Sequence, residues 1–161
     1  MNIEIIRELD PRFIISFNYK YIIPEDVIEY MGDKIINLHI SYLPYNRGSS
    51  PNFFSFYENT KKGVTIHKMA KGLDTGDILC QKEVELEEQK ETFSSSYKKL
   101  SNELIELFIE NWDKLKEGTI TSTAQQGKGT YHTMKELNLI RKTHPFQWND
   151  NIAQWKKKNN L

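Results

Sequence analysis

The sequence predicts an α/β protein with a mostly parallel sheet, and three observations carry that expectation. Short apolar runs rich in β-branched residues, of the kind found in buried strands, recur through the first half of the chain. Helix-start signals stand between them at Pro24 and Pro51. A long stripe of helical periodicity then follows from Thr92 to Glu117. Strands alternating with helices place the helices against the sheet.

The elements read in order as follows. Phe13-Ile14-Ile15-Ser16-Phe17 is the first buried strand, and Pro24-Glu25-Asp26 opens a short helix with acids in its first turn. Ile35 to Ile40 is a second strand, interrupted by the polar Asn37 and His39. Val64-Thr65-Ile66-His67, entered from Gly63, is a third, and Ile78-Leu79-Cys80-Gln81 starts a fourth. In the long helix Leu100, Leu104, Leu107, Phe108 and Trp112 recur at three- and four-residue spacing, and Gly118 stops it. Gln125 to Thr130 is loop chemistry, followed by a helix around Met134 to Ile140 and a last one near Trp148 to Trp155. The Lys156-Lys157-Lys158-Asn159-Asn160 tail reads as a frayed, solvated end. Residues 1–120 are expected to form the core, and residues 121–161 a C-terminal helical extension packed on the same domain.

The bulk composition narrows the function. A chain of 161 residues is one ordinary domain, and its 38% hydrophobic and 27% charged content suits a folded globule. Lys plus Arg equals Asp plus Glu at 22 each, so no global basic field favours nucleic acid. One cysteine, Cys80, builds neither a disulfide framework nor a thiolate-rich metal site, and no metal is expected. No apolar run approaches the ~20 residues that span a bilayer. Met1 to Ile6 lacks the regions of a signal peptide, so the expected compartment is a reducing cytoplasm.

The informative residues are polar groups within apolar strand ends. Asn37 and His39 lie two apart on a strand, so both side chains leave the same face. Ligands bind open α/β sheets at the carboxyl ends of their strands, near where this pair sits. Behind it comes the loop Ser41-Tyr42-Leu43-Pro44-Tyr45-Asn46-Arg47-Gly48, and further on the glycine-bracketed turn Gly72-Leu73-Asp74-Thr75-Gly76. Each feature taken alone has an ordinary structural explanation as a packed histidine, a surface arginine or a turn-forming acid.

Together, Asn37-Leu38-His39, Leu43-Pro44, Arg47-Gly48, Pro51, Gly63-Val64-Thr65-Ile66 and Gly72 to Gly76 resemble the folate-dependent formyltransferase family. That family includes methionyl-tRNA formyltransferase, glycinamide ribonucleotide formyltransferase and the sugar N-formyltransferases. The likeness runs in order from about Phe13 to about Gln81. The extended stretches around Asn46-Arg47-Gly48, Thr65-Ile66-His67 and Gly129-Thr130-Tyr131-His132 look most like the sugar N-formyltransferases.

The resemblance implies a Rossmann-like sheet of the formyltransferase type. It also implies transfer of a formyl group from 10-formyltetrahydrofolate to a primary amine, which the sugar N-formyltransferase likeness makes that of a nucleotide-linked amino sugar; the balanced charge and the lack of a spanning run argue against a nucleic acid or membrane partner. Asn37 and His39 would supply hydrogen-bond donors to the oxyanion of the tetrahedral intermediate. Asp74 would take the amine proton, directly or through a water, and raise the basicity of His39; His39 as the direct base stays open. Carried over from the family, Phe17, Tyr19, Tyr21, Ile22 and Ile23 form one wall of a pterin slot. The other wall runs from His67 and Lys68 through Gly72 and Leu73. Arg47, with Ser41, Gly48, Tyr131 and His132, falls on the acceptor side, where a guanidinium fork suits phosphate or carboxylate.

The family domain usually begins with about three strands before the one matching Phe13–Phe17, whereas twelve residues precede it here. The expectation is therefore either a fragment or a minimal form whose bare sheet edge another subunit covers, a homo-oligomer included. Two other readings stay open: a folate-binding module that does not turn over, and a hydrolase that releases formate.

Overall fold

In the computed structural model, which describes residues Met1–Leu161, the first half of the chain runs α1 (Ile3–Leu9), β1 (Ile14–Phe17), α2 (Glu25–Met31), β2 (Ile35–His39), β3 (Arg47–Gly48), α3 (Pro51–Tyr57) and β4 (Gly63–Lys68). The second half adds β5 (Ile78–Glu83), α4 (Phe93–Glu117), β6 (Tyr131–His132), α5 (Met134–Thr143) and α6 (Ile152–Asn159). The main sheet has the order β1-β2-β4-β5, and β3 pairs with β6 in a short second sheet.

The expected mostly parallel sheet is corrected to a mixed one. Only β1 and β2 pair parallel within the main sheet; β2–β4 and β4–β5 are antiparallel. The cause of the misreading is physical. A strand covered on both faces reads as a continuous apolar run whichever way its neighbours point, so the run encodes burial and not direction.

Both faces are indeed covered. Ile36 and Leu38 of β2, with Val64 and Ile66 of β4, pack under Leu100, Leu104 and Leu107 of α4. Ile35, one residue out of phase, faces the opposite way onto Ile6 of α1, Ile23, and Val27 and Met31 of α2. Asn37 and His39 share the parity of Ile35, so they leave the sheet on the side away from α4. A third, aromatic cluster joins Phe53, Phe54 and Phe56 of α3 to Phe93, Leu137, Phe146 and Trp155.

The helix ends follow local chemistry. Thr92 Oγ1 accepts from the Ser95 N–H at 3.0 Å and Ser95 Oγ accepts from the Thr92 N–H at 2.9 Å, a reciprocal cap at the start of α4. Gly118 takes the left-handed conformation that ends it. Thr92→Ala is expected to destabilise the fold by about 1 kcal/mol in a urea titration. An unchanged midpoint would show that Glu91, which also bonds Ser95, holds the helix start without the threonine.

Two further expectations change. The last helix begins at Ile152, capped by Asn151, and not near Trp148, because Gln147 to Asp150 form a turn closed by the Asp150 carboxylate. The lysine tail is its last turns, and Lys156 is buried with its ammonium 2.9 Å from Glu88. The first residues, read above only as unlike a signal peptide, form α1, capped by the Asn2 side chain. No helix is long and apolar enough to cross a membrane.

Candidate active site

The antiparallel register of β2 and β4 sets Asn37 opposite His67, and His39 opposite Thr65. The turn after β4 then brings Asp74 back over the same face, with Asp74 itself in the left-handed region at φ 52°. Gly76 permits that return: a Cβ there would sit 1.8 Å from the Lys68 carbonyl oxygen.

Asn37, His39, His67 and Asp74 thus form one cluster. Asn37 Nδ2 donates to Asp74 Oδ1 at 3.0 Å and lies 3.3 Å from His67 Nε2. The Gly48 N–H donates to Asp74 Oδ2 at 2.8 Å, and His39 Nδ1 stands 3.7 Å from that same oxygen. The other nitrogen of His39, Nε2, is 3.2 Å from the Asn46 carbonyl. A carbonyl only accepts, so Nε2 carries the proton and the Nδ1 lone pair of the neutral ring faces Asp74. The same logic at His67 puts a proton on Nδ1, 2.8 Å from the Lys68 carbonyl, and leaves Nε2 to accept from Asn37.

The electrostatics follow from burial and these contacts. Burial acts to raise the Asp74 carboxyl, but attraction to His39, the neighbouring His67 and the hydrogen bond from the Gly48 N–H outweigh it and hold the group well below the usual carboxylate range. Two N–H donors, from Asn37 and Gly48, keep the carboxylate ionised while His39 is neutral. His39 is lowered from its ordinary value, chiefly by burial; Asp74 pulls it back only in part, and His67 adds to the lowering. The expectation that Asp74 raises the basicity of His39 therefore holds as one contribution, while burial sets the net direction.

The cluster opens on a cleft of about 650 Å3. Phe17, Tyr19, Tyr21, Ile22 and Ile23 line it, as do Gly72 and Leu73, together with Asn37, His39, Gly48 and Asp74. His67 and Lys68 do not line it: His67 is fully buried behind Asp74, and Lys68 reaches Asp33 at 2.9 Å. The expected acceptor residues are dispersed. Ser41 is buried and donates to the Tyr45 carbonyl. Arg47 turns its Nε and Nη2 to Gln125 Oε1, at 3.0 and 2.7 Å.

Tyr131 stacks over Gly48, where an added Cβ would come within 2.8 Å of its ring. His132 is buried flat against Phe54, with ring centroids 3.7 Å apart, between Glu58 and Glu136. Its Nε2 lies 3.3 Å from the Glu58 carboxylate but off the hydrogen-bond line, while Nδ1 bonds Glu136.

The cleft is also lined by residues from α4, α5 and the segment after α5 that the sequence did not single out: Tyr97, Met134, Leu137, Arg141, Phe146 and Trp148. The Arg141 guanidinium lies 4.5 Å from the Phe146 ring centroid. The available signal was Trp148, a tryptophan in a polar segment that the structure leaves half exposed beside Tyr97.

Comparison with known proteins places this architecture. Residues 1–111 match the formyl transferase family model. Methionyl-tRNA formyltransferase of Thermodesulfovibrio yellowstonii is 36% identical over 88% of this chain and 51% of its own length. The dTDP-4-amino-4,6-dideoxyglucose formyltransferase of Mycobacterium bovis is 32% identical over 86% of this chain and 57% of its own. The chain thus spans about half the length of the curated relatives it matches. Among solved structures, the formyltransferase PseJ from Anoxybacillus kamchatkensis, in complex with UDP-4,6-dideoxy-4-formamido-L-AltNAc and tetrahydrofolate, superposes with a TM-score of 0.85. It is 39% identical over 92% of this chain and 78% of its own. Rv3404c from Mycobacterium tuberculosis, described as a likely sugar N-formyltransferase, gives 0.79 at 28% identity, covering 99% of this chain and 67% of its own. The chain belongs to the formyl transferase family.

Proposed function

We propose that the chain transfers a formyl group from 10-formyltetrahydrofolate to the primary amine of a nucleotide-linked amino sugar, in a reducing cytoplasm. The observation that carries this reading is the Asn37–His39–Asp74 cluster at the middle of a single cleft. One arm of that cleft is an aromatic and aliphatic slot, and the other ends in Arg141 and Trp148. A slot edged by Tyr19, Tyr21, Ile22 and Leu73 fits a flat, partly apolar heterocycle, and the volume of the whole cleft is ordinary for a ligand site. The far arm offers a guanidinium for phosphate and rings for a base. PseJ supports the acceptor class, since its structure holds a UDP-linked formamido sugar together with tetrahydrofolate. In this reading residues 1–120 hold the donor and the reacting groups, and residues 121–161 border the acceptor.

In the reaction the amine nitrogen bonds to the formyl carbon, and the bond from that carbon to the folate nitrogen breaks. His39 Nδ1, neutral and open, accepts the amine proton and later returns it to the departing nitrogen. Asp74 stabilises the imidazolium formed meanwhile, because an already ionised carboxylate of this depth is a poor proton acceptor but a good counter-charge. Asn37 stabilises the oxyanion with the N–H that it now points at His67, the longer of its two contacts.

The test has two stages. Calorimetry with 5-formyltetrahydrofolate should show binding, retained in His39→Ala. Transfer to the amine obtained by removing the formyl group from the PseJ-bound sugar should then be followed across pH. Because the folded His39 value is lowered, kcat/KM should stay high as pH falls to about 6.5 and decline only below it. Release of formate without amine would make the chain a hydrolase, and transfer to methionyl-tRNA alone would move the acceptor to another class. Binding without turnover on any amine would leave a folate-binding module.

A further inference from the structure

We propose that Gln125 is a positioning residue for formyl transfer, holding the turn that carries Asp74 in the backbone conformation that aims its carboxylate at His39. The inference rests on the formyl-transfer reading above for its kinetic consequence, but its geometric content stands without it.

Gln125 uses every hydrogen-bonding position of its amide. Nε2 donates to the Asp74 carbonyl and to the Gly76 carbonyl, each at 2.8 Å. Oε1 accepts from Arg47 Nε at 3.0 Å and Nη2 at 2.7 Å. An amide has two N–H donors and two acceptor lone pairs, so it is saturated, and the guanidinium fixes which end is oxygen. One of its two carbonyl partners belongs to the residue whose φ is 52°, and the other lies two residues further along the same turn. A left-handed aspartate persists where surrounding bonds over-determine it.

The anchor is rigid from both sides. The segment leading to Gln125 is pinned to β5 by the reciprocal Ile78–Thr123 backbone pair, at 2.8 and 2.9 Å. Arg47 belongs to β3, and the adjacent Gly48 N–H donates to the Asp74 carboxylate. The backbone of Asp74 is therefore held by Gln125 and its side chain by the residue beside Arg47. This also explains why Arg47 faces away from the cleft: its fork orients the glutamine.

The experiment compares Gln125→Met, which keeps length and loses all four bonds, with Gln125→Glu, which keeps the acceptor for Arg47 but cannot donate to the two carbonyls. Thermal scans establish that each is folded. Both variants should lose roughly 100-fold in kcat, the scale of a misplacement of about 1 Å, with KM for the amine and binding of 5-formyltetrahydrofolate little changed. Full activity in Gln125→Glu would overturn the proposal by showing that Gln125 acts only through Arg47.

A second readout needs no substrate. In the wild-type protein Asp74 raises the His39 titration against the effects of burial and His67, so displacing the carboxylate should move the His39 ring midpoint downward in Gln125→Met. An unmoved midpoint, read by NMR of the imidazole nitrogens, would show that Asp74 stays in place without the glutamine and would end the proposal. If the midpoint moves while no amine is formylated by the wild type, the positioning inference stands and the substrate reading fails.

Discussion

Replacing Asp74 with asparagine is expected to lower kcat for formyl transfer by about 1,000-fold while leaving binding of 5-formyltetrahydrofolate little changed. The substitution keeps shape and removes charge. Asp74 offers two acceptor oxygens, one to Asn37 and one to the Gly48 N–H, whereas an asparagine has a single oxygen and must turn an NH2 toward one of these donors. More important, the imidazolium formed at His39 loses the carboxylate 3.7 Å away, and the surrounding burial then opposes its protonation unchecked. The walls expected to hold the pterin, from Phe17 to Ile23 and at Leu73, are untouched, which is why the loss should fall on kcat.

The same variant carries a stability signature whose sign is set by the direction of the Asp74 shift. A carboxyl lowered in the folded state stabilises the fold above its unfolded value of about 3.9, and that contribution is lost as pH falls through the folded value. The wild type should therefore lose stability on acidification below about pH 4 more steeply than Asp74→Asn. Turnover within a few-fold of wild type in the variant would sink the assignment of Asp74; equal acid sensitivity would show that its carboxylate is not held as the geometry indicates.

What could be read from the sequence, and what could not, divides along a physical line. Asn37 and His39 were legible because a polar side chain inside a buried strand needs a reason. Asp74 was legible because a glycine on either side of an acid marks a turn that must pass close to other backbone. Strand direction was not legible, since burial of Ile35, Ile36 and Ile66 is the same for either orientation.

The place of His67 depends on that direction: the antiparallel register, and nothing local, sets it beside Asn37. Arg47 looked like an anion ligand because its partner, Gln125, lies 78 residues away and offers no local pattern. Lys156 looked solvated for the same reason, as Glu88 lies 68 residues before it. Side chains whose roles are set by distant partners are the ones that composition and periodicity misplace.

The largest stability loss is expected for Phe93→Ala. Phe93 is the first residue of α4 and is fully buried, with ring centroids 4.9 Å from Phe146, 5.3 Å from Trp155 and 5.5 Å from Phe53. It thereby joins α3, the start of the long helix and the C-terminal segment, so the cavity left by truncation is bounded by three separate elements that cannot close together without moving apart elsewhere. A buried Phe→Ala change of this kind costs about 3–5 kcal/mol, against a total of about 5–15 kcal/mol for a domain.

At about 2–4 °C per kcal/mol for a chain of this size, the midpoint should fall by roughly 6–20 °C. Ile109→Ala, on the same helix but 66% exposed, is the control and should stay within about 0.5 kcal/mol of wild type. A Phe93→Ala midpoint no lower than that control would refute the role of the aromatic cluster. Where the variant remains folded, the loss should also divide between ligands. Phe53 and Phe146 line the cleft on the proposed acceptor side, while the wall proposed for folate comes from β1 and the residues before α2. Binding of a nucleotide sugar should therefore weaken more than binding of 5-formyltetrahydrofolate, since the cluster that stabilises the domain also shapes the side proposed for the acceptor.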